Sequence, residues 1–339
     1  MLKKSLILAA ATALALAASF APSAALEDPT RSPYYAAFKG KTVAYLPISM
    51  AANITASWAA GVKRELEPLG VKFVIRDGNF NIDATAQAIT TLIDQKVDVM
   101  IVQNTDVQAF AKLYKKAQAA GIYVIQVGMQ SVVQTDGYSG PDWSSLGEKM
   151  AAAAIKQCGN GSGRSGKVAL VQGAVTSANG IFITQAIDAA FKAHPEMKIV
   201  ANQGSDWDPS KAHAIAATAL QQNPDLCAFL GYWEDEDQGI VAAVKEAGKV
   251  HDVFVMTSGI GEKKSCDEVA DGSLDLYYSY DSRTVAQQVV DTISSLLQAK
   301  PAAGSTKVLQ ITPLVELTKA SVTSLSCWSL ADYVGNSLK

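Results

Sequence analysis

Four aromatic residues and one run of carboxylates stand where the chain leaves short apolar segments. The aromatic residues are Trp143, Trp207, Trp233 and Tyr280, and the acidic run 234–237 follows Trp233 directly. An aromatic ring offers a flat apolar face whose π-electrons attract polarised C–H or cationic groups, and Trp and Tyr add a polar edge. These residues suit the binding of sugars, polyols or small ammonium compounds. The alternative is that each ring only packs between elements.

The polar candidates have two possible roles each. Glu234 and Asp235 open a predicted helix, where a carboxylate stabilises the helix dipole, but either can also accept protons from a ligand hydroxyl or ammonium group. Asn104 and Asp106 follow a predicted strand and either contact a ligand or only cap the next helix. Asn53 follows the first strand and is a further candidate for a polar contact.

Short apolar runs alternate with helix-period stretches along most of the chain. The first pair is a strand at Lys41–Ile48 and a helix at Asn53–Leu69, and the run Val97–Val102 has almost no polar alternation. Continuous apolar strands are typical of parallel sheets covered on both faces, with a ligand crevice at their carboxyl ends. Trp58 belongs to the apolar stripe of the first helix, so we assign it, like Trp328 of the tail, mainly to packing.

The ends of the pattern carry weaker signals. Residues 27–40 have little periodicity and are predicted to be irregular. Near the other end, Val308–Ile311 and Leu314–Leu317 are predicted to be closing strands. A mature chain of this length is long for one compact core, so two lobes are expected.

The first residues have the features of a secretory signal peptide. Lys3 and Lys4 precede the apolar run Leu6–Phe20, and small residues at 23–25 predict cleavage after Ala25. A transmembrane anchor is the competing interpretation, but the run is short for a span and Pro22 follows it. We therefore expect residues 1–25 to be a leader and the mature protein to be exported.

Composition argues against several classes of function. The net charge of −3 and the absence of a basic patch argue against nucleic-acid binding. A GxGxxG match at Gly161, Gly163 and Gly166 follows a predicted helix instead of a strand, which is the wrong context for a dinucleotide site. No serine lies in a GxSxG elbow. We therefore expect neither a cofactor nor an enzymatic activity.

Metal binding is not expected either, and the cysteines leave their pairing open. The three histidines are scattered and suit surface or packing roles: His194, His213 and His251. In an oxidising compartment four cysteines permit one or two disulfides, and isolated buried thiols are the alternative. Three pairings are possible if all four are bridged: they involve Cys158, Cys227, Cys266 and Cys327.

Several short motifs, in their order and spacing, carry a resemblance to a known family. They are Val43–Leu46, Asp77, Asn104–Asp106, Val171–Gly173, Asp206–Asp208 and Gln222–Phe229. The mature chain resembles periplasmic solute-binding proteins of the ribose- and galactose-binding type, which deliver ligands to ABC importers. This implies an α/β fold of two Rossmann-like lobes with parallel sheets flanked by helices. The ligand cleft lies between the lobes.

The resemblance also implies how the chain is divided. A hinge of three crossings joins an N-terminal lobe, residues 26–139 plus 281–307, to a C-terminal lobe, residues 140–280 plus 308–339. The implied partners are a small-molecule ligand and a membrane permease, with the protein itself a monomer. A transcription regulator would share the lobes, but a leader stands where its DNA-binding segment would be.

The chain departs from the sugar-binding pattern at the charged positions that usually hold ligand hydroxyls. Trp207 matches a ring that packs on the ligand, and Tyr280 stands where a glutamine is common. Ser258 stands near the position of a carboxylate and is kept as a candidate contact. Other departures are at Ala52–Thr55, Gly128–Met129 and Ile183.

These departures leave the ligand class open. The first expectation is a small carbohydrate, either a sugar or a polyol. The alternative is a small nitrogenous or cationic compound held by the aromatic residues and the acidic run. An exported sugar-modifying enzyme or hydrolase is the alternative from another class of function.

Overall fold

The chain forms two α/β lobes, each built on one six-stranded sheet. The computed structural model describes residues 28–335 and 338. The predicted signal peptide, residues 1–25, lies outside the described residues. The prediction of two lobes with mainly parallel sheets and helices on their faces is confirmed.

The first lobe takes most of its elements from the N-terminal part of the chain. Its sheet has the order β11-β5-β4-β3-β1-β2 with all neighbours parallel. A short 3₁₀ turn, Glu67–Leu69, follows the second helix. The elements are α1 (Arg31–Phe38), β1 (Thr42–Leu46), α2 (Asn53–Leu66), β2 (Lys72–Ile75), α3 (Ile82–Asp94), β3 (Val99–Val102), α4 (Ala111–Ala119), β4 (Tyr123–Val127), β5 (Gly137–Gly140), α10 (Ser282–Ala299) and β11 (Val308–Ile311).

The second lobe repeats this plan with one antiparallel edge. Its sheet has the order β12-β10-β9-β8-β6-β7, in which only β12 runs against its neighbour. The elements are α5 (Trp143–Cys158), β6 (Lys167–Gln172), α6 (Ala178–Phe191), β7 (Lys198–Gly204), α7 (Pro209–Gln222), β8 (Ala228–Gly231), α8 (Glu234–Glu246), β9 (Phe254–Gly259), α9 (Lys263–Asp271), β10 (Leu276–Ser279) and β12 (Val315–Thr318). The last helix, α11 (Leu330–Val334), was expected in the second lobe but packs on α2 of the first lobe.

Three crossings join the lobes, after β5, after β10 and after β11. The expected boundary between residues 307 and 308 is wrong, because β11 pairs in parallel with β5 and so completes the first sheet. Gly140, expected in the second lobe, is the last residue of β5. The third crossing therefore follows Ile311, and the chain enters the second lobe at β12.

Two local predictions are also wrong. Residues 27–40 contain α1, which forms because Phe38 is fully buried and its ring packs against Tyr34 at 4.9 Å. The helix expected directly after Asn104–Asp106 begins only at Ala111. Asp106 accepts the N–H groups of Gln108 and Ala109, so it closes a turn ahead of α4 instead of capping the helix.

Both disulfides lie in the second lobe and its C-terminal extension. Cys158 at the end of α5 is bonded to Cys227 just before β8, and Cys266 of α9 is bonded to Cys327 of the tail. This selects one of the three pairings that the sequence left open. The second bridge anchors the segment that leads to α11, whose Tyr333 lies under the guanidinium of Arg64 in α2, 4.7 Å from the ring centre.

We expect the Cys158–Cys227 bridge to contribute strongly to stability. It closes a loop with a sequence separation of 69 residues. Loops of this size favour the folded state by about 4 kcal/mol because the bridge restricts the unfolded chain. Urea denaturation of the double variant Cys158→Ala/Cys227→Ala should show this loss. Wild-type protein in reductant is the control, and a loss below about 1 kcal/mol would contradict the expectation.

The described helices include none that is long and apolar enough to cross a membrane.

Candidate functional site

A cavity lies between the lobes, at the carboxyl ends of strands from both sheets. Its free volume is about 30 Å³, room for about two water molecules, so the lobes enclose little empty space in this closed form. The residues that line it are Ile48, Ile54, Trp58, Gln103, Gly128, Met129, Trp143, Asn179, Trp207, Trp233 and Tyr280. The four aromatic residues singled out from the sequence are thus brought together in one wall.

Trp143 and Tyr280 form the hinge side of this wall. Their rings meet edge to face, with centroids 5.5 Å apart and planes at 82°. The indole Nε1–H of Trp143 donates to the carbonyl oxygen of Gly128 at 2.8 Å, which ties the second lobe to the end of β4. Both side chains are almost fully buried. Their orientation is therefore fixed by packing before any ligand enters.

Trp207 lies directly on the backbone of Gly173. A Cβ atom at position 173 would stand 2.0 Å from Trp207 Nε1, so only glycine allows this approach. Trp207 also has a φ of +59°, in the left-handed region that bulky residues rarely adopt. Its ring stacks on Phe80 of the first lobe, with centroids 6.2 Å apart and planes at 28°. Strained backbone of this kind is typical of binding and functional sites.

Three polar or aromatic wall residues were not among the predicted contacts. Trp58, assigned to packing from its helical stripe, lines the cavity and packs its ring against Gly128. Gln103 follows β3 directly, and Asn179 lies in the first turn of α6. The carboxyl-end rule that found Trp233 points equally to Gln103. In the sequence alone, Trp58 cannot be distinguished from the core residues of its stripe.

Asn104 and Asp106 are not part of the cavity wall. The Asn104 amide is completely buried and donates to Gln126 Oε1 at 3.2 Å and to the carbonyl oxygen of Met129 at 2.8 Å. It also accepts the hydroxyl of Tyr114. Asn104 therefore supports the loop after β4 from behind. Asp106 holds the turn described above.

Glu234 turns its carboxyl group into the second lobe, away from the residues that line the cavity. The carboxyl accepts the N–H of Ile260 at 2.8 Å and the hydroxyls of Ser265 and Tyr277, both at 2.6 Å. Burial raises the pKa of Glu234 to about 8, and the charge of Asp235 acts in the same direction. The hydrogen bonds partly oppose this shift. At neutral pH the group is therefore mostly protonated and supplies little negative charge.

The remaining acidic and hydroxyl candidates also lie outside the cavity wall. Asp235 is half-buried, and burial raises its pKa to about 6, with a further contribution from the charge of Glu262 and an opposing one from Lys264. Ser258 is fully buried and donates to the carbonyl oxygen of Tyr232 at 2.7 Å. A direct contact between these side chains and a ligand stays a prediction.

Contacts at the rim hold the two lobes together across the cleft. The Asn53 amide at the start of α2 donates to Glu262 Oε2 beside α9 at 2.8 Å. The Val107 N–H donates to the carbonyl oxygen of Thr176 at 3.1 Å. With the Phe80–Trp207 pair, these contacts describe a closed cleft. Asn53 thus bridges the lobes instead of lining the cavity.

Within residues 28–335, no group of histidine, cysteine and carboxylate side chains is arranged to hold a metal ion. His194 pairs with Glu196 and His213 with Glu246 at partly exposed positions outside the cavity wall. These pairs have no geometric relation to the residues that line the cavity.

Known proteins resemble this chain in sequence and in fold. Residues 43–301 match the family described as "Periplasmic binding protein domain". The chain is 26% identical over 237 residues to the ribose import binding protein of Bacillus subtilis, which covers 67% of this chain and 70% of the relative. It is 30% identical over 171 residues to the D-allose-binding periplasmic protein of Escherichia coli, which covers 48% of this chain and 53% of the relative.

A solved structure shows the same fold over most of the chain. It is an ABC transporter solute-binding protein from Mycobacterium smegmatis with bound glycerol, which aligns with a TM-score of 0.76 and 20% sequence identity. The alignment covers 86% of this chain and 98% of that one. The family match extends from β1 into the segment after α10, through both lobes. The chain therefore belongs to the periplasmic binding protein domain family.

Proposed function

We propose that the protein captures a small carbohydrate, a sugar or a polyol, in the periplasm and delivers it to the permease of an ABC importer. The observation that carries this proposal is the inter-lobe cavity walled by five aromatic side chains, Trp58, Trp143, Trp207, Trp233 and Tyr280. Aromatic faces pack well against the C–H faces of carbohydrates, and the polar edges of Trp and Tyr serve hydroxyl groups. The protein acts as a monomer and reaches its compartment through the leader at residues 1–25.

Relatives support the ligand class. The two curated relatives described above are named for ribose and D-allose, and the solved neighbour holds glycerol. These compounds differ in size but are all neutral and rich in hydroxyl groups. A small neutral compound with hydroxyl groups is what these ligands have in common.

The proposed mechanism is capture by hinge closure. A ligand that touches both lobes gains contacts only in the closed state, so it raises the population of that state. The rim contacts of Asn53 with Glu262 and of Val107 with Thr176 exist only when the lobes meet. A permease that contacts both lobes then distinguishes the loaded protein from the empty one.

Removing one rim contact is expected to weaken binding without touching the cavity. Asn53→Ala deletes the hydrogen bond to the Glu262 carboxylate, and hydrogen bonds to charged groups contribute about 1.5–3 kcal/mol. This hydrogen bond forms only in the closed state, which is the state that binds the ligand. Its loss should therefore raise the dissociation constant by about tenfold in calorimetric titration. The matched variant Glu262→Gln keeps an acceptor oxygen and should lose clearly less. Equal losses in both variants would contradict the proposed role of this bond.

The function itself is tested with the purified mature protein. A thermal-shift screen over sugars, polyols, amines and nucleosides should identify a ligand, since a bound ligand raises the melting temperature in proportion to the logarithm of its excess over Kd. Small-angle scattering should show compaction at saturation. Turnover of the identified ligand by the pure protein would reject a pure binding role, and stabilisation by amines alone would reject the carbohydrate.

A further inference from the structure

The cavity wall carries no charged side chain among the residues that the structure describes. The hydroxyl of Tyr280 is the only ionisable group among the wall residues. The other wall residues have apolar side chains, indoles or, in two cases, amides. Glu234 directs its carboxyl group into the second lobe, where it accepts three hydrogen bonds, and none of residues 234–237 lines the cavity. The wall therefore provides neither a counter-charge for an ionic ligand nor a carboxylate acceptor for hydroxyl protons.

The side-chain oxygens of the two amides are engaged within the protein. Gln103 Oε1 accepts the backbone N–H of Ile48 at 3.3 Å, and Asn179 Oδ1 accepts the backbone N–H of Gly180 at 3.0 Å. A backbone N–H can only donate, so the side-chain atom that it meets is the oxygen. The amide nitrogens remain for another partner, and each has two protons to donate.

Trp58 adds a further donor. Its side chain is 1% exposed and lines the cavity, yet its indole Nε1 has no hydrogen-bond partner among the described residues. A buried donor without a partner is rare because it loses its bond to water without replacement. The indole of Trp143 differs, since it is already engaged with the carbonyl oxygen of Gly128.

Acceptors are scarce in the same wall. The carbonyl oxygen of Gly128 accepts Trp143 Nε1 at 2.8 Å, and it shares the single proton of the Tyr138 hydroxyl, at 3.1 Å, with the carbonyl oxygen of Pro141 at 2.8 Å. The carbonyl oxygen of Met129 accepts Asn104 Nδ2. The Trp58 indole N–H is thus free for a ligand, whereas the carbonyl oxygens of Gly128 and Met129 are already engaged within the protein.

We infer that the ligand is an uncharged carbohydrate with few hydroxyl groups, such as a deoxy sugar, and that the indole N–H of Trp58 determines its selection. This rests on the proposed function and narrows its ligand class. Ligand oxygens accept from Trp58, Gln103 and Asn179, while the C–H faces lie on the aromatic rings. Each additional hydroxyl enclosed without an acceptor weakens binding, because its proton loses a bond to water.

The inference is tested first with matched ligands in calorimetric titration of the wild-type protein. The pairs are D-ribose with 2-deoxy-D-ribose and D-galactose with D-fucose, and choline is the cationic probe. We expect the deoxy member of at least one pair to bind about tenfold more tightly than its parent. Tighter binding of both parents would overturn the inference while the proposed function stands. Binding of choline alone would overturn both, whereas binding of none of the four sugars would overturn the inference and leave the proposed function to the wider screen.

The second test isolates the indole N–H. Trp58→Phe keeps an aromatic ring and should raise the Kd of the best carbohydrate by about threefold to tenfold, the loss of one neutral hydrogen bond. The matched control is Trp328→Phe, which removes an indole N–H bonded to the carbonyl oxygen of Ile260, outside the cavity wall. The control should lower the melting temperature without changing Kd. An unchanged Kd in Trp58→Phe would reject the selecting role of Trp58.

Discussion

Replacing Trp207 by alanine is expected to raise the ligand dissociation constant by at least about 30-fold, the effect typical of a central aromatic anchor. The ring lines the cavity, rests on Gly173 and stacks on Phe80 of the opposite lobe. Its removal is therefore expected to take away both the proposed ligand surface and a closure contact. Because Trp207 stands in a loop with positive φ, outside the strands, the fold itself should survive. Calorimetric titration with the best ligand of the screen measures the effect.

Two matched variants separate the parts of this loss. Phe80→Ala removes only the stacking across the cleft and should give a smaller rise in Kd. Tyr35→Ala removes an exposed aromatic side chain of α1, outside the cavity wall, and should give none. If Trp207→Ala binds as tightly as Phe80→Ala, Trp207 serves closure alone and the ring is not a ligand surface.

The elements of both sheets could largely be predicted from the sequence, because buried parallel strands are short apolar runs with clear breaks. The first lobe's β3, Val99–Val102, is almost fully buried, so burial leaves a direct trace in its composition. The edge strand β11 has a weaker apolar pattern, because its side chains are partly exposed and Leu309 is 66% exposed. Its segment was predicted as a strand, but no local pattern tells which of two sheets an edge strand joins. The sequence pattern therefore predicts the third crossing four residues too early, after residue 307 instead of after Ile311.

The candidate site was predictable where position alone decides exposure to the cleft. Trp233 and Tyr280 follow strand ends, and the carboxyl-end rule places them in the crevice. Glu234 also follows the end of β8, but its side chain turns toward Ser265 and Tyr277. The direction of this side chain depends on hydrogen-bond partners that are distant in sequence, so it could not be predicted. Trp58 is the opposite case, because its sequence position predicts a core residue whereas the structure places it in the cavity wall. Its helical stripe is a core stripe whose N-terminal end emerges at the cavity.

The free energy of unfolding is expected to fall as the pH rises from about 4.5 to about 8, because of Glu234. In the unfolded chain this carboxyl loses its proton near its ordinary pKa of 4.5, whereas in the folded protein burial holds the pKa at about 8. Between these values the folded state binds more protons, so each rise in pH favours unfolding. The contribution is complete below the lower value and is lost as the pH passes the upper one.

The size of this effect follows from the same two values. A shift from 4.5 to about 8 corresponds to at most about 5 kcal/mol, at 1.36 kcal/mol per pH unit. Glu236 and Asp237 act in the same direction, because burial raises the pKa of both. One oxygen of each lacks a hydrogen-bond partner among the described residues. The total pH dependence should therefore exceed that of Glu234 alone.

Urea denaturation at several pH values from about 5 to about 8 measures this dependence. Glu234→Gln is neutral at every pH in this range and keeps an acceptor oxygen, so its stability should decline less steeply than that of the wild type. Glu148→Gln, at an exposed position of α5, is the matched control and should keep the wild-type slope. A wild-type stability that is flat or rises with pH would contradict the buried, protonated state of Glu234. A slope unchanged in Glu234→Gln would instead place the titrating group at Glu236 or Asp237.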